Sequence, residues 1–167
     1  MNVFKYGDDI NTDLLFPGRY TYTCGKAEEI LPHLLEDLDR EFAGKVQAGD
    51  VILAGKNFGC GSSREQPALG LKAAGVQAVV AKSFARIFFR AATNQGLLLV
   101  ECPAAVDAYQ PGDDLSLDLT NGEITVGGKA YLFPALPPEM LAIRDAGGLL
   151  AYARAKLKQH RSGFPKA

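Results

Sequence analysis

Three short apolar runs at near-equal intervals through the middle of the chain constrain its fold more than any other feature. Asp50 to Ala54 carries Val51, Ile52 and Leu53 in succession, Val76 to Ala81 forms the second run, and Leu97 to Val100 the third. None alternates with polar residues, so each reads as a strand buried on both faces. Between them lie two stretches of helical character. The first starts near Arg64 and ends at Gly75, with Pro67 fitting only in the first turn, where a backbone N–H has no helical partner anyway. The second runs from Phe84 to about Thr93, capped by Ser83 and ended by Asn94 and Gly96. Strand, helix, strand, helix, strand at this spacing predicts a parallel α/β core.

The flanks are less regular. Met1 to Tyr6 reads as a short strand, Gly7 to Asp13 as a polar turn, and Leu14 to Phe16 as an apolar run broken by Pro17-Gly18. Arg19 to Lys26 has no bias strong enough to fix it. Glu28 to Phe42 sets Ile30, Leu34, Leu35, Leu38 and Phe42 at helical spacing, with Pro32 and His33 in the first turn or interrupting it. After the core, Leu115 to Leu119 alternates, Asn121-Gly122 signals a hairpin, Glu123 to Val126 returns, and Lys129 to Phe133 follows a Gly127-Gly128 turn. Pro137-Pro138 opens a helix through Arg144, and Gly147-Gly148 opens a last one through about Lys158. The expected whole is one α/β domain over residues 1–167, a parallel core carrying additional antiparallel strands.

Composition narrows the function. The 167 residues, 47% hydrophobic, suit one buried core. Lys and Arg number 18 against 19 Asp and Glu, so there is no basic surplus of the kind a nucleic-acid partner demands. No apolar run is long enough to span a membrane. Met1 to Asp9 is charged from Lys5 onward and lacks a signal peptide's apolar stretch, so a cytoplasmic protein is expected. Cys24, Cys60 and Cys102 form no CxxC pair, and His33 and His160 are the only histidines, both in polar helical surroundings. No metal or cofactor site is expected from this inventory, and any metal chemistry would be borrowed.

The most informative segment is Gly55 to Gln66, GKNFGCGSSREQ. Its glycines follow a buried strand and precede a helix, where backbone can approach a ligand closely and free N–H groups favour an anion. Ser62 and Ser63 add hydroxyls, and Arg64 adds a fork able to hold a carboxylate in two hydrogen bonds. The segment lacks the Lys-Ser/Thr ending of a P-loop and the third glycine of a dinucleotide fingerprint. It reads either as a carboxylate- or phosphate-binding corner or as a serine-capped strand–helix turn with a solvated arginine.

Two further segments stand out. Gly7 to Asp13, GDDINTD, starts like a calcium loop, but Leu14 replaces the required glycine and Tyr20 the bidentate glutamate, which leaves an acidic turn. Lys82 to Arg90, KSFARIFFR, puts Arg86 and Arg90 one turn apart, with Phe84, Ile87, Phe88 and Ala91 as a core stripe. The arginines form a solvated face or meet a partner subunit.

In this order GDDINTD, GKNFGCGSSREQPALGLKAAG and AKSFARIFFRAATNQGLLL resemble the small subunits of 3-isopropylmalate dehydratase, within the aconitase family, and the likeness runs from about Lys5 to Leu157. The resemblance implies a mobile "swivel" domain of β/β/α fold. It implies a hydro-lyase of leucine biosynthesis, converting 2-isopropylmalate to 3-isopropylmalate and active only with a large subunit, as a heterodimer or heterotetramer. That partner carries a [4Fe–4S] cluster, and none sits on this chain. The two chains close over a hydroxy-diacid. Proton abstraction falls to the first serine of GSSR, Ser62. Ser63 and Arg64 bind a substrate carboxylate, and Asp13 of the NTD motif supports the serine and arginine.

The loop after the Pro17-Gly18 turn tunes substrate choice in this family. Relatives acting on longer tricarboxylates, such as homoaconitase, resemble YLRT there, whereas this chain reads Tyr20-Thr21-Tyr22-Thr23. Tyr22 stands where the extra arginine would be, which favours an uncharged side group. Thr21 is polar where isopropylmalate enzymes are apolar, so a smaller alkyl group, as in citraconate or dimethylmaleate hydration, stays open. The alternative within the class is the small subunit of a related hydro-lyase, homoaconitase or such a hydratase, and a stand-alone anion-binding module is the alternative from a different class.

Overall fold

The computed structural model describes residues 1–162, with side-chain surroundings described through residue 159. The reading of His160 as a polar helical side chain therefore falls outside what is described. Four strands, β1 (Val3–Lys5), β2 (Val51–Ala54), β3 (Ala78–Ala81) and β4 (Leu98–Glu101), form a parallel sheet in the order β1-β2-β3-β4. Val3 stands opposite Val51, Val51 opposite Ala78, and Ala78 opposite Leu98.

That order has a topological consequence. Crossovers between parallel neighbours are right-handed, so a strictly sequential sheet sends every connection to the same face. The helices α1 (Thr12–Leu15), α2 (Ala27–Ile30), α3 (Phe42–Lys45), α4 (Gln66–Ala73) and α5 (Arg86–Gln95) all arise in these connections. The opposite face needs another cover. It receives α6 (Pro103–Ala108) and an antiparallel sheet of β5 (Leu115–Asp118), β6 (Glu123–Val126) and β7 (Lys129–Leu132).

Alternate residues of each central strand serve the two sides. Ile52, Ala54, Val79, Ala81 and Leu99 pack with Phe16, Ile30, Phe42 and Phe88 under the helices. Val51, Leu53, Val80 and Val100 pack with Val106, Ile124, Val126 and Phe133 under the second sheet. The result is a β/β/α sandwich with two cores, as the resemblance implied. The helices α7 (Pro138–Asp145) and α8 (Leu149–Ser162) return to pack on α5. Among the described residues no helix is long and apolar enough to cross a membrane.

Several local expectations are corrected. Residues 28–42 are not one helix: α2 ends at Ile30, a 3₁₀ turn covers Leu31–His33, and Leu34 is extended. Leu35 has φ 55° and gives its N–H to Leu15 O at 3.0 Å. Pro32 deprives a longer helix of one donor, yet Ile30, Leu34, Leu35 and Phe42 are all buried, so the apolar spacing marked the core correctly and the element wrongly. Ser83 does not cap α5, which starts at Arg86 after Ala85. Its Oγ instead accepts the Asn57 N–H at 2.9 Å, because Phe58 and Phe84 pair as a parallel bridge. Ile87 is 52% exposed rather than part of the core stripe. Part of the Gly7 to Asp13 turn is helical, since α1 begins at Thr12, and α6 was not foreseen.

Candidate active site

The three notable segments meet because each follows one of three adjacent parallel strands. GDDINTD leaves β1, GKNFGCGSSR leaves β2 and KSFARIFFR leaves β3. In open α/β sheets the crevice beyond the carboxyl ends of the strands is where ligands bind. Here the first two loops are laced together by backbone bonds, Gly59 N–H to Ile10 O and Thr12 N–H to Cys60 O, each at 2.7 Å. Two glycines permit the approach. Gly59, at φ 78°, lies so near the Phe88 ring that a Cβ would come within 2.2 Å of its Cγ. Gly61, at φ 104°, would put a Cβ 2.9 Å from Thr12 Oγ1.

The start of α1 is fixed by Asn11, whose side-chain oxygen accepts the N–H groups of Asp13 and Leu14, both at 2.9 Å. This sets Thr12 inward, 1% exposed, and Asp13 outward. Thr12 Oγ1 accepts the Ser62 N–H at 3.0 Å and lies 3.1 Å from Ser62 Oγ. The helix α4 begins at Gln66, two residues later than expected, so Ser62 and Ser63 lie in the loop before it rather than on its first N–H groups. Fixed donation to Ser62 comes from a side chain instead: Arg64 Nε reaches its Oγ at 2.7 Å.

The Arg64 guanidinium is spread over both loops. Nη1 donates to Thr21 Oγ1 at 2.9 Å and to Phe16 O at 3.2 Å, and Nη2 donates to Asp13 Oδ1 at 2.6 Å. Of the five N–H groups of a guanidinium, one on Nε, two on Nη1 and one on Nη2 are engaged. A single N–H on Nη2 is left. The fork expected to take a carboxylate in two bonds is thus already largely occupied, and a second carboxylate beside Asp13 meets one N–H of it only.

Asp13, Ser62, Arg64 and Thr21 are therefore brought together. Ser63 is exposed beside them, with no protein hydrogen bond among the described residues. Tyr20 is taken up elsewhere. Its ring stacks on His33 at 3.8 Å between centroids, and its hydroxyl donates to Glu36 at 3.2 Å. Hydrogen bonds from His33 and then Arg19 hold the Glu36 carboxyl below its usual range, so Tyr20 is anchored to a partly exposed polar cluster of these three side chains. Tyr22 is 99% exposed. Thr12 was not singled out from the sequence. The signal for it was a hydroxyl residue directly after an Asn cap, between Ile10 and the apolar pair Leu14-Leu15.

The three cysteines do not converge. Cys24 is buried under the helices, Cys102 under the second sheet, and Cys60 lies on the loop with its Sγ 3.7 Å from Asp9 O. Among the described residues no three His, Cys, Asp or Glu side chains are grouped so as to hold a metal.

Residues 19–105 match the family model of the aconitase C-terminal domain, a span that includes Ser62 to Arg64 but not Asp13. The chain is 50% identical over 157 residues to a 3-isopropylmalate dehydratase small subunit of Caldicellulosiruptor bescii, covering 93% of this chain and 94% of that one. It is 45% identical over 159 residues to a 2,3-dimethylmalate dehydratase small subunit of Eubacterium barkeri, covering 94% and 97%. The crystal structure of a 3-isopropylmalate dehydratase of Methanocaldococcus jannaschii superposes with a TM-score of 0.86 at 40% identity, over 97% of both chains. The relatives' designation as small subunits implies a large-subunit partner. The chain belongs to the aconitase C-terminal domain family and, within it, to the hydro-lyase small subunits of the 3-isopropylmalate dehydratase type.

Proposed function

We propose that this chain supplies the proton-transfer and carboxylate-binding groups of a dehydratase that interconverts 2-isopropylmalate and 3-isopropylmalate, the rest of the site coming from a large subunit. The observation that carries the reading is Ser62 Oγ held under Arg64 Nε at 2.7 Å on an exposed face. A serine hydroxyl is a very weak acid and acts as a base only where fixed donors stabilise its deprotonated oxygen. Asp13 and Ser63 are equally open to solvent, so these groups form half a site that needs another surface to exclude water.

In the dehydration direction the Ser62 oxygen takes a proton from a substrate carbon. The O–H bond forms, the C–H bond breaks, and its electron pair becomes the C=C bond as the hydroxyl on the neighbouring carbon departs. An acid on the partner's side protonates that hydroxyl to water. Re-addition with the two carbons exchanged gives the isomer. Ser63 and the remaining Arg64 N–H face a substrate carboxylate, while Asp13 and Thr21 keep the guanidinium in place. Tyr20 anchors the loop, and Tyr22 offers an uncharged surface to the substrate's side group.

The described residues provide no ligand set for the [4Fe–4S] cluster the family implies, and we assign that cluster to the partner, in a heterodimer or heterotetramer. A second reading is a hydratase of a smaller alkyl diacid. It is favoured by the likeness to a dimethylmalate dehydratase small subunit.

Turnover of a panel of diacids, by the chain alone and reconstituted with a large subunit, tests the proposal. The expected result is none alone and, in the pair, the highest kcat/KM on 3-isopropylmalate. Highest kcat/KM on 2,3-dimethylmalate would install the second reading. Diacid binding without turnover in any reconstituted pair would leave only an anion-binding module.

A further inference from the structure

Thr12 has an arrangement that the functional reading leaves unused. It is 1% exposed, and Ser62 supplies every side-chain hydrogen-bond partner it has among the described residues. Its backbone is fixed on both sides, the N–H bound to Cys60 O at 2.7 Å and the C=O receiving the Phe16 N–H at 3.0 Å. A β-branched side chain on so fixed a backbone has little rotamer freedom.

The hydrogens can be counted. A threonine hydroxyl has one proton and two lone pairs. Thr12 Oγ1 spends one lone pair on the Ser62 N–H, so its proton is free for Ser62 Oγ, 3.1 Å away. Ser62 Oγ already receives Arg64 Nε. Two outcomes are possible for the neutral pair, because either hydroxyl can donate to the other. Once Ser62 has lost its proton only one remains: Thr12 must donate, and the Ser62 oxygen is held by one cationic and one neutral donor. Gly61 keeps this geometry open, since any side chain there would press on Thr12 Oγ1.

We propose that Thr12 is a positioning residue for Ser62, orienting it through its N–H and donating the second hydrogen bond that stabilises its deprotonated oxygen. The proposal rests on Ser62 being the base. The proton that Ser62 loses before substrate binds passes to solvent, so no further reactant is needed. A merely structural threonine would satisfy the Ser62 N–H and nothing else.

The test is the pH dependence of kcat/KM in the reconstituted two-subunit enzyme for Thr12→Ser, Thr12→Ala and Thr12→Val, beside Ser62→Ala. Ser keeps the hydroxyl that accepts the Ser62 N–H and donates to its Oγ and Ala removes it, so that pair, read through the pH limb, remains decisive if Val fails to fold. Thr12→Ser should stay within about threefold of wild type. Thr12→Ala should lose about 100- to 1000-fold in kcat, as removal of one oxyanion donor does. KM should change less than about twofold, because the donor acts on the base and not on bound substrate. The acid-side limb should move to higher pH by about one unit or more, since a less stabilised oxygen loses its proton later. An unmoved limb in Thr12→Ala with a lowered thermal midpoint, while Ser62→Ala is inactive, overturns the proposal and leaves Ser62 as base. Retained turnover in Ser62→Ala overturns both.

Discussion

Arg64 and Asp13 join the two loops of the site through a bond from Nη2 to Oδ1 of 2.6 Å, with the Arg64 side chain 14% exposed and that of Asp13 67%. So exposed a partner adds little to stability, roughly 1 kcal/mol or less. Its consequence is geometric, because the same guanidinium holds Ser62 through Nε. Asp13→Asn should therefore lower kcat in the reconstituted enzyme by about tenfold or more, the weaker neutral bond letting the guanidinium turn. The thermal midpoint should fall by no more than about 4 °C. Wild-type kcat in this variant would reduce Asp13 to a surface charge.

The two loop glycines should separate stability from activity. Gly59→Ala drives a Cβ into the buried Phe88 ring at a positive φ and should cost about 2–4 kcal/mol. Gly61→Ala meets only the Thr12 hydroxyl at 2.9 Å and should cost about 1–2 kcal/mol, yet displace Ser62 and depress kcat more than tenfold. Denaturant unfolding and turnover on both variants check this. A larger stability loss in Gly61→Ala than in Gly59→Ala would contradict the packing account.

Tyr22 makes no packing contact that a substitution could break, being 99% exposed. Tyr22→Arg should leave the thermal midpoint within about 1 °C, as exposed substitutions generally do. It should also lower kcat/KM for 3-isopropylmalate and raise it for a tricarboxylate homologue. An unpaired charge in a closed site costs on the order of a few kcal/mol, so the ratio should change at least tenfold. Equal loss on both substrates would refute a specificity role.

The sheet was legible because buried parallel strands leave a signature that local sequence cannot disguise: Val51 to Leu53 has no polar residue to place on either face. The sequential strand order was not, because it depends on which crossover lies where. The 28–42 segment misled because Leu34 and Leu35 are buried by tertiary packing in a non-helical backbone. In the site, Ser62, Arg64 and Asp13 stood out as reactive types in glycine-rich or acidic company. Thr12 did not, since a threonine between Asn11 and Asp13 also fits a polar turn or a cap. Tyr20 and Tyr22 looked alike in sequence, and only the contacts with His33 and Glu36 separate the anchor from the exposed ring.

Asp50 ties the start of β1 to that of β2. Buried at 1% exposure, it accepts the Asn2 N–H at 2.5 Å, the Asn2 amide at 3.0 Å and the Gln47 N–H at 2.8 Å. Burial works against its charge, but the Asn2 and Gln47 N–H groups, the Asn2 amide and the N-terminal amine outweigh it and hold the carboxyl below its usual range. A carboxyl depressed in the folded state contributes stability above its unfolded pKa, about 4, and loses it as pH falls through the folded value. Asp50→Asn should cost about 1–3 kcal/mol at neutral pH. The gap to wild type in urea unfolding should narrow steadily below about pH 4. A gap independent of pH would place the stabilisation elsewhere.

The most direct measurement is single-turnover dehydration of 3-isopropylmalate by the reconstituted pair, with wild-type chain and with Ser62→Ala. Ser62 is exposed on its loop, so the variant should fold and bind its partner as wild type does. The account predicts a chemical step slowed by at least about 10³-fold at unchanged substrate affinity, the loss expected when a positioned base is removed. A rate within tenfold of wild type, in a pair shown to be assembled, would contradict it and move the base to the large subunit.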